Sequence, residues 1–250
     1  MPFYFRLNKV KILDNREKGF LFFIRDLAEV KLTSMIVSGN TDFPQIAEYK
    51  DAAGTKGVKD IKRCRNLASS MITQVVSQRQ TMVIECVRDN QSITFGDTGY
   101  VVHQEKTVPD DLNWFFIAVE DDSAIRNFGA SIESIVGSSK FDTFASSIAT
   151  LVSTAANPGF AAGTAIVKFI AEVTAKALKK NKDDTIGLLY MSLNRWEHYP
   201  HGERKANAIS DLSGNMFVDY SLFGFNQPAV ETKTKAKVIR IPPLPVNMLD

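Results

Sequence analysis

Four groups of residues in this chain have side chains suited to chemistry. The first lies in Trp196-Glu197-His198-Tyr199-Pro200-His201-Gly202-Glu203-Arg204, an H-x-x-H motif flanked by carboxylates. Two imidazoles and a carboxylate can ligate zinc when they converge. Pro200 bars a regular helix through the motif, and no third ligand stands at a sensible spacing, so a structured surface turn is expected. The second group is Gly96-Asp97-Thr98-Gly99. An Asp-Thr-Gly segment works in acid proteolysis only when two such carboxylates share a proton. A single copy reads as a turn between strands. The third group is the acidic pairs Asp121-Asp122 and Asp183-Asp184. The fourth is basic: Lys59, Lys62, Arg63 and Arg65 fall on one face of a predicted helix. That face suits the phosphates of lipid head groups, and it equally suits plain solvation.

No set of residues supplies nucleophile, base and stabiliser together. His103 stands in a predicted strand without an obvious nucleophile, and there is no G-x-S-x-G, P-loop or Rossmann glycine pattern. The chain is therefore expected not to be an enzyme. Cys64 and Cys86 have neither zinc spacing nor the numbers for a disulfide framework, and they read as small buried hydrophobes. Lys and Arg total 30 against 28 Asp and Glu, a net charge of +2. So small a surplus argues against a nucleic-acid binder.

These groups must be positioned by secondary structure, and the hydrophobic pattern shows which kind. The 250 residues include 17 Phe, many in alternating runs that favour sheets packed through aromatic faces. Alternation marks strands at 3–13 (with a bulge near Asn8), 20–24, 29–38, 81–88 and 92–104. It marks further strands at 112–120, 185–193, 216–225 and 230–241. Between 58 and 79, Ile61, Cys64, Ala68, Met71, Ile72 and Val75 recur at three- and four-residue spacings, the period of an amphipathic helix. From 123 to 182 the composition turns to Ala, Ser, Thr and Gly, giving a helical hairpin broken at Asn157-Pro158-Gly159. The order is β-rich, helical, β-rich. This predicts a mainly β fold with residues 1–122 and 183–241 forming one antiparallel sandwich. The helical insertion spans 123–182, and 242–250 form an extended C-terminal tail.

The flanks of the insertion carry a resemblance. Trp114-Phe115-Phe116-Ile117-Ala118-Val119-Glu120-Asp121-Asp122 before it, and Asp183-Asp184-Thr185-Ile186-Gly187 leading into Leu188–Leu193 after it, resemble a passage of C2 domains. There an apolar strand ends in acidic residues, and D-D-x-I-G opens the next strand. The resemblance implies an eight-stranded antiparallel C2-like sandwich with the helical hairpin expanding one of its membrane-facing loops. It also implies calcium as a cofactor, held by Asp121, Asp122, Asp183 and Asp184 with Asp14 joining them. Calcium takes six to eight oxygens, so these carboxylates serve it only if both ends of the insertion return to one rim. Acidic residues also cap helices and solvate strand ends, a role equally open to them.

Residues 143–167 contain no formal charge, but seven Ser or Thr and the Asn-Pro-Gly break argue against a simple membrane span. The second helix of the hairpin presents Phe160, Ile166, Phe169, Ile170 and Val173 as an apolar stripe for a membrane, a partner or the sandwich itself. Lys233, Lys235 and Lys237 and the following Pro-Pro-Leu-Pro form an arm able to reach a second copy of the chain. Three functions follow. The leading one is a non-catalytic, C2-like binding module acting at a membrane surface or on a lipid-associated partner. The others are a structural subunit held by its arm and insertion, and a pore-forming or toxin-like protein with an inserting hairpin. The start of the chain has no signal-peptide core, so a cytoplasmic or peripheral-membrane location is expected.

Overall fold

A computed structural model describes residues 2–16, 27–53, 60–120, 135–136, 138–178 and 185–225. Two antiparallel sheets face each other. The first contains β1 (Phe3–Ile12), β4 (Gln91–Thr94), β5 (Tyr100–Glu105), β8 (Glu203–Ser210) and β9 (Met216–Phe223). Its order is β4-β1-β9-β8, with β5 also paired to β1. The second contains β2 (Ala28–Ser38), β3 (Gln80–Val87), β6 (Asp111–Val119) and β7 (Thr185–Asn194) in the order β3-β2-β6-β7.

The predicted sandwich is therefore present, with nine strands among the described residues. The strand expected at 92–104 is divided into β4 and β5, which pair with Lys9–Ile12 and Phe3–Leu7 along the same side of β1. The Gly96-Asp97-Thr98-Gly99 turn makes the division. Gly99 has φ +72°, and a Cβ there would lie 2.4 Å from Asn8 Oδ1, so only glycine fits. The bulge expected near Asn8 is found where the β1–β9 register shifts between Leu7 and Lys9. The strands expected at 20–24 and 230–241 lie outside the described residues.

The inner faces of the sheets close on an aromatic centre. Phe5 meets Trp114 edge-on at 4.7 Å and Tyr220 at 5.3 Å. The Trp114 indole N–H is fully buried and donates to Ser34 Oγ at 2.9 Å, so the indole is not left unpaired.

The outer face of the second sheet is covered as well, by α1 (Gln45–Ala53), α2 (Ile61–Ser77), α3 (Ser139–Thr154) and α4 (Pro158–Leu178). Met35, Val37, Phe115, Ile117 and Val119 point outward into a second core with Tyr49, Met71, Phe141, Ile148, Ile166 and Ile170. Trp114, Phe116 and Ala118 point inward. Burial on both faces explains why β6 from Trp114 to Val119 is an unbroken apolar run and not an alternating one. The molecule is thus layered sheet, sheet, helices, and the insertion packs back onto the strands that flank it.

Local sequence sets the helix ends. Asp60 caps α2 by accepting the Arg63 N–H at 2.9 Å. Between α3 and α4, Asn157 accepts the Phe160 N–H and Pro158 takes the first helical position. The Asn-Pro-Gly break therefore starts the second helix, whereas the expectation had Gly159 ending the first. α1 and β8 carried no expectation at all. The H-x-x-H segment forms the one-turn α5 (Arg195–His198), a bend, and then β8.

Candidate functional site

The sandwich has two ends. β6 and β7 pair from Asp111↔Asn194 to Val119↔Thr185, so the strands flanking the insertion are neighbours in one sheet and emerge together. Gly187 of the Thr-Ile-Gly segment packs directly against the first sheet at Met216. A Cβ there would stand 2.6 Å from Met216 Cβ and 3.3 Å from Asp211 Oδ2. The first sheet brings three turns to the same end. One follows β1 at Asp14, one joins β3 to β4 at Asp89, and one joins β8 to β9 at Asp211.

Asp211 organises this rim. Its buried carboxylate accepts the Leu188, Ser213, Asn215 and Met216 N–H groups and the Ser213 hydroxyl at 2.7–3.1 Å. Burial pushes the carboxyl upward, but these donors outweigh it and hold it below the usual carboxylate range. Asn215 then bonds the Asp14 N–H, the Asp14 carbonyl and the Ile186 carbonyl, tying the first turn to the start of β7. Asp89 accepts the Asn15 N–H at 2.8 Å.

Of the expected calcium ligands, Asp14 is at the rim, and its carboxylate is engaged by Arg16 through the backbone N–H at 2.8 Å and the guanidinium at 3.1 Å. Asp121, Asp122, Asp183 and Asp184 lie outside the described residues. Among the described residues no three His, Cys, Asp or Glu side chains come together to hold a metal. The H-x-x-H gathers none either: His198 Nδ1 accepts the Asn194 N–H at 3.1 Å and His201 is exposed.

The expected lipid- or partner-facing stripe points inward. Ile166 and Ile170 are fully buried, Val173 nearly so, and Phe160 and Phe169 are half-buried. Three features fix α4 there. Gly163 lets the helix touch Val37 of β2 and Phe43 of the β2–α1 turn. Asn113, buried on β6, donates to Thr164 Oγ1 at 2.8 Å while accepting from the Tyr190 hydroxyl. Asn157 Nδ2 donates to the Gly39 carbonyl at 3.2 Å. Sequence shows that stripe as apolar, but only the outward residues of β2 and β6 reveal its counterpart. Among the described residues no helix is long and apolar enough to cross a membrane.

On α2, Lys62 and Arg63 are exposed, with Arg63 Nη2 3.4 Å from Glu48. Arg65 bridges to Asp142 on α3, its Nε 2.8 Å from Oδ1. Half of that basic face therefore ties helices together, and Lys59 lies outside the described residues.

The opposite end of the sandwich holds a site without an expectation. A cleft of about 520 Å3 opens between the end of β5 and the β2–α1 turn. In it His103 Nε2 lies 2.6 Å from Glu105 Oε1, and Asn40 Nδ2 donates to Glu105 Oε2 at 2.6 Å. Burial raises the Glu105 carboxyl, but hydrogen bonds from His103, Ser38 and Asn40 and the His103 charge bring it below its ordinary value. The only sequence signal was His-Gln-Glu in a strand, which puts His103 and Glu105 on one face.

Fold and sites together define an antiparallel β-sandwich with a helical third layer and polar loops at both ends. No protein-family model matches the chain, and no curated protein is similar to it.

Proposed function

We propose that the chain is a non-catalytic, C2-like binding module acting through the loops at its rim, on a membrane surface or a lipid-associated partner. The observation that supports this most directly is the β6–β7 register. β6 and β7, which Asp121-Asp122 follow and Asp183-Asp184 precede in the sequence, leave the sheet side by side at Val119↔Thr185. Asp14 and Asp89 share that end, on turns held rigid by Asn215, Asp211 and Asn15. A stiff scaffold presenting acidic loops is what a calcium-bridged contact with anionic head groups requires.

The docked helices favour this reading over an inserting hairpin. To enter lipid, α4 would have to leave a fully buried seat and break the Asn113–Thr164 bond. The structural-subunit reading keeps one supporting observation, the exposed Trp196 and the Phe223–Phe225 pair at the other end.

Co-sedimentation with phosphatidylserine vesicles, with calcium and with chelator, tests the proposal. Calcium-dependent pelleting that is lost in Asp183→Asn/Asp184→Asn is expected. Pelleting that ignores both calcium and the substitutions removes the metal bridge. No pelleting together with a defined oligomer in light scattering favours the structural subunit.

A further inference from the structure

At the end away from the rim, we infer that the cleft between β5 and the β2–α1 turn binds a neutral polyhydroxylated ligand of the saccharide class. The argument begins with which polar groups are already engaged. Glu105 is committed on both oxygens, to His103 on one side and Asn40 on the other. It serves as the fixed floor of the cleft and not as a free ligand group.

The carboxylate also fixes the imidazole. Nε2 is turned toward Glu105, and among the described residues Nδ1 has no partner, so it is left to face the cleft. Three further side chains line the same cleft without a hydrogen bond or ion pair among the described residues: the Asp42 carboxylate, the Gln78 amide and the Lys106 ammonium. An imidazole nitrogen, a carboxylate, an ammonium and an amide thus face one space.

The chemistry of that set selects the ligand. Asp42 and Lys106 carry opposite charges, so a free anion and a free cation would each meet their own sign in the cleft. Its apolar surface comes from the His103 ring and the carbon atoms of polar residues, with no Leu, Ile, Val, Phe, Tyr or Trp to seat an acyl chain. The described residues assemble no metal site. A ligand that donates and accepts through several hydroxyls uses every free group: a hydroxyl to His103 Nδ1, a vicinal pair to Asp42, and ring or hydroxyl oxygens to Lys106 and Gln78. The volume lies within the roughly 300–1,000 Å3 of small-molecule sites. Because the cleft is open and has no Phe, Tyr or Trp ring to stack on, binding should be weak, with a dissociation constant of about 1 mM.

The test is an amide-resolved NMR titration of the full chain with methyl mannoside, methyl galactoside, N-acetylglucosamine and trehalose. Butylammonium chloride and inorganic phosphate are the charged controls. Saturable shifts at Asn40, His103, Lys106 and Thr107 with at least one saccharide, and with neither control, are expected. His103→Phe keeps an aromatic ring but removes both ring nitrogens, and should abolish them. Exposed Asp42→Asn, which leaves the floor intact, should weaken binding about tenfold, since a charged acceptor becomes a neutral one. Shifts with butylammonium or phosphate alone, saccharide shifts that survive both substitutions, or no saccharide shift at tens of millimolar would each overturn the inference. None of these outcomes bears on the rim, because the two sites lie at opposite ends of the strands.

Discussion

Asp211 should be the most sensitive polar position in the fold. Replacing it by alanine removes the acceptor of five hydrogen bonds. The Ser213 N–H and hydroxyl lie near the surface and can turn to water. The Leu188, Asn215 and Met216 N–H groups are buried, and each is left without its partner. A net loss of about 1 kcal/mol per buried bond gives about 3 kcal/mol in all. For a chain of this size that lowers the melting temperature by about 6–12 °C. Asp211→Asn is the sharper probe. Asparagine can still accept on one side, but its NH2 must then face the Leu188 N–H or the Asn215 and Met216 N–H groups, donor against donor. It should therefore cost nearly as much as alanine. Thermal denaturation followed by circular dichroism gives both values. If Asn melts within a degree or two of wild type, the carboxylate is not the organiser of the rim and the reasoning fails.

Three further outcomes follow. Gly163→Val places side-chain atoms where a Cβ already stands 2.5 Å from Val37 Cγ1 and 3.0 Å from Phe43. It should cost about 2 kcal/mol and strip hydrogen-exchange protection from α4 first, whereas unchanged protection would mean the helix is not seated on β2. Glu105→Gln should cost about 1–2 kcal/mol at neutral pH by weakening the charged bonds to His103 and Asn40. The Glu105 carboxyl is held below its ordinary value, so its contribution is complete above about pH 4.3 and lost as pH falls through the lower folded value. The difference between wild type and Glu105→Gln in chemical denaturation should therefore vanish in acid, and a gap that widens in acid would contradict the assignment.

What the sequence made legible was whatever period alone encodes. The alternating β1, the helical stripe of α2 and the apolar run of β6 were all readable, because burial on one face, one stripe or two faces leaves a direct trace. The adjacency of β6 and β7 was readable too, since a strand interrupted by a helical insertion must resume beside its neighbour or strand its hydrogen bonds. The docking of α4 was not. Ile166, Ile170 and Val173 form the same stripe whether they face lipid, a partner or a sheet, and the deciding residues, Val37, Phe115 and Asn113, lie far away in sequence. β8 was hidden because Glu203–Ser210 is broken by a bulge between Ala206 and Ile209 and by Ala208 at φ +52°, which spoils its alternation. The Glu105–Asn40 contact was hidden because it joins the end of β5 to the β2–α1 turn, 65 residues apart.

The helical layer also explains how so long an insertion is tolerated. α1 and α2 come from the connection between β2 and β3, and α3 and α4 from that between β6 and β7. Both connections leave strands of the same sheet, so both helix pairs are delivered to its outer face. Neither pair could bury its apolar stripe alone. Together they cover Phe115, Ile117 and Val119 and cross-link through Tyr49, whose hydroxyl donates to the Ala145 carbonyl at 2.9 Å, and through Arg65 and Asp142. Closing a loop costs only about 0.6 kcal/mol more for each doubling of its length, so the insertion is offset many times over by the core it completes. On that account the insertion is a structural layer, and deleting 123–182 should unfold the chain instead of leaving a smaller folded sandwich.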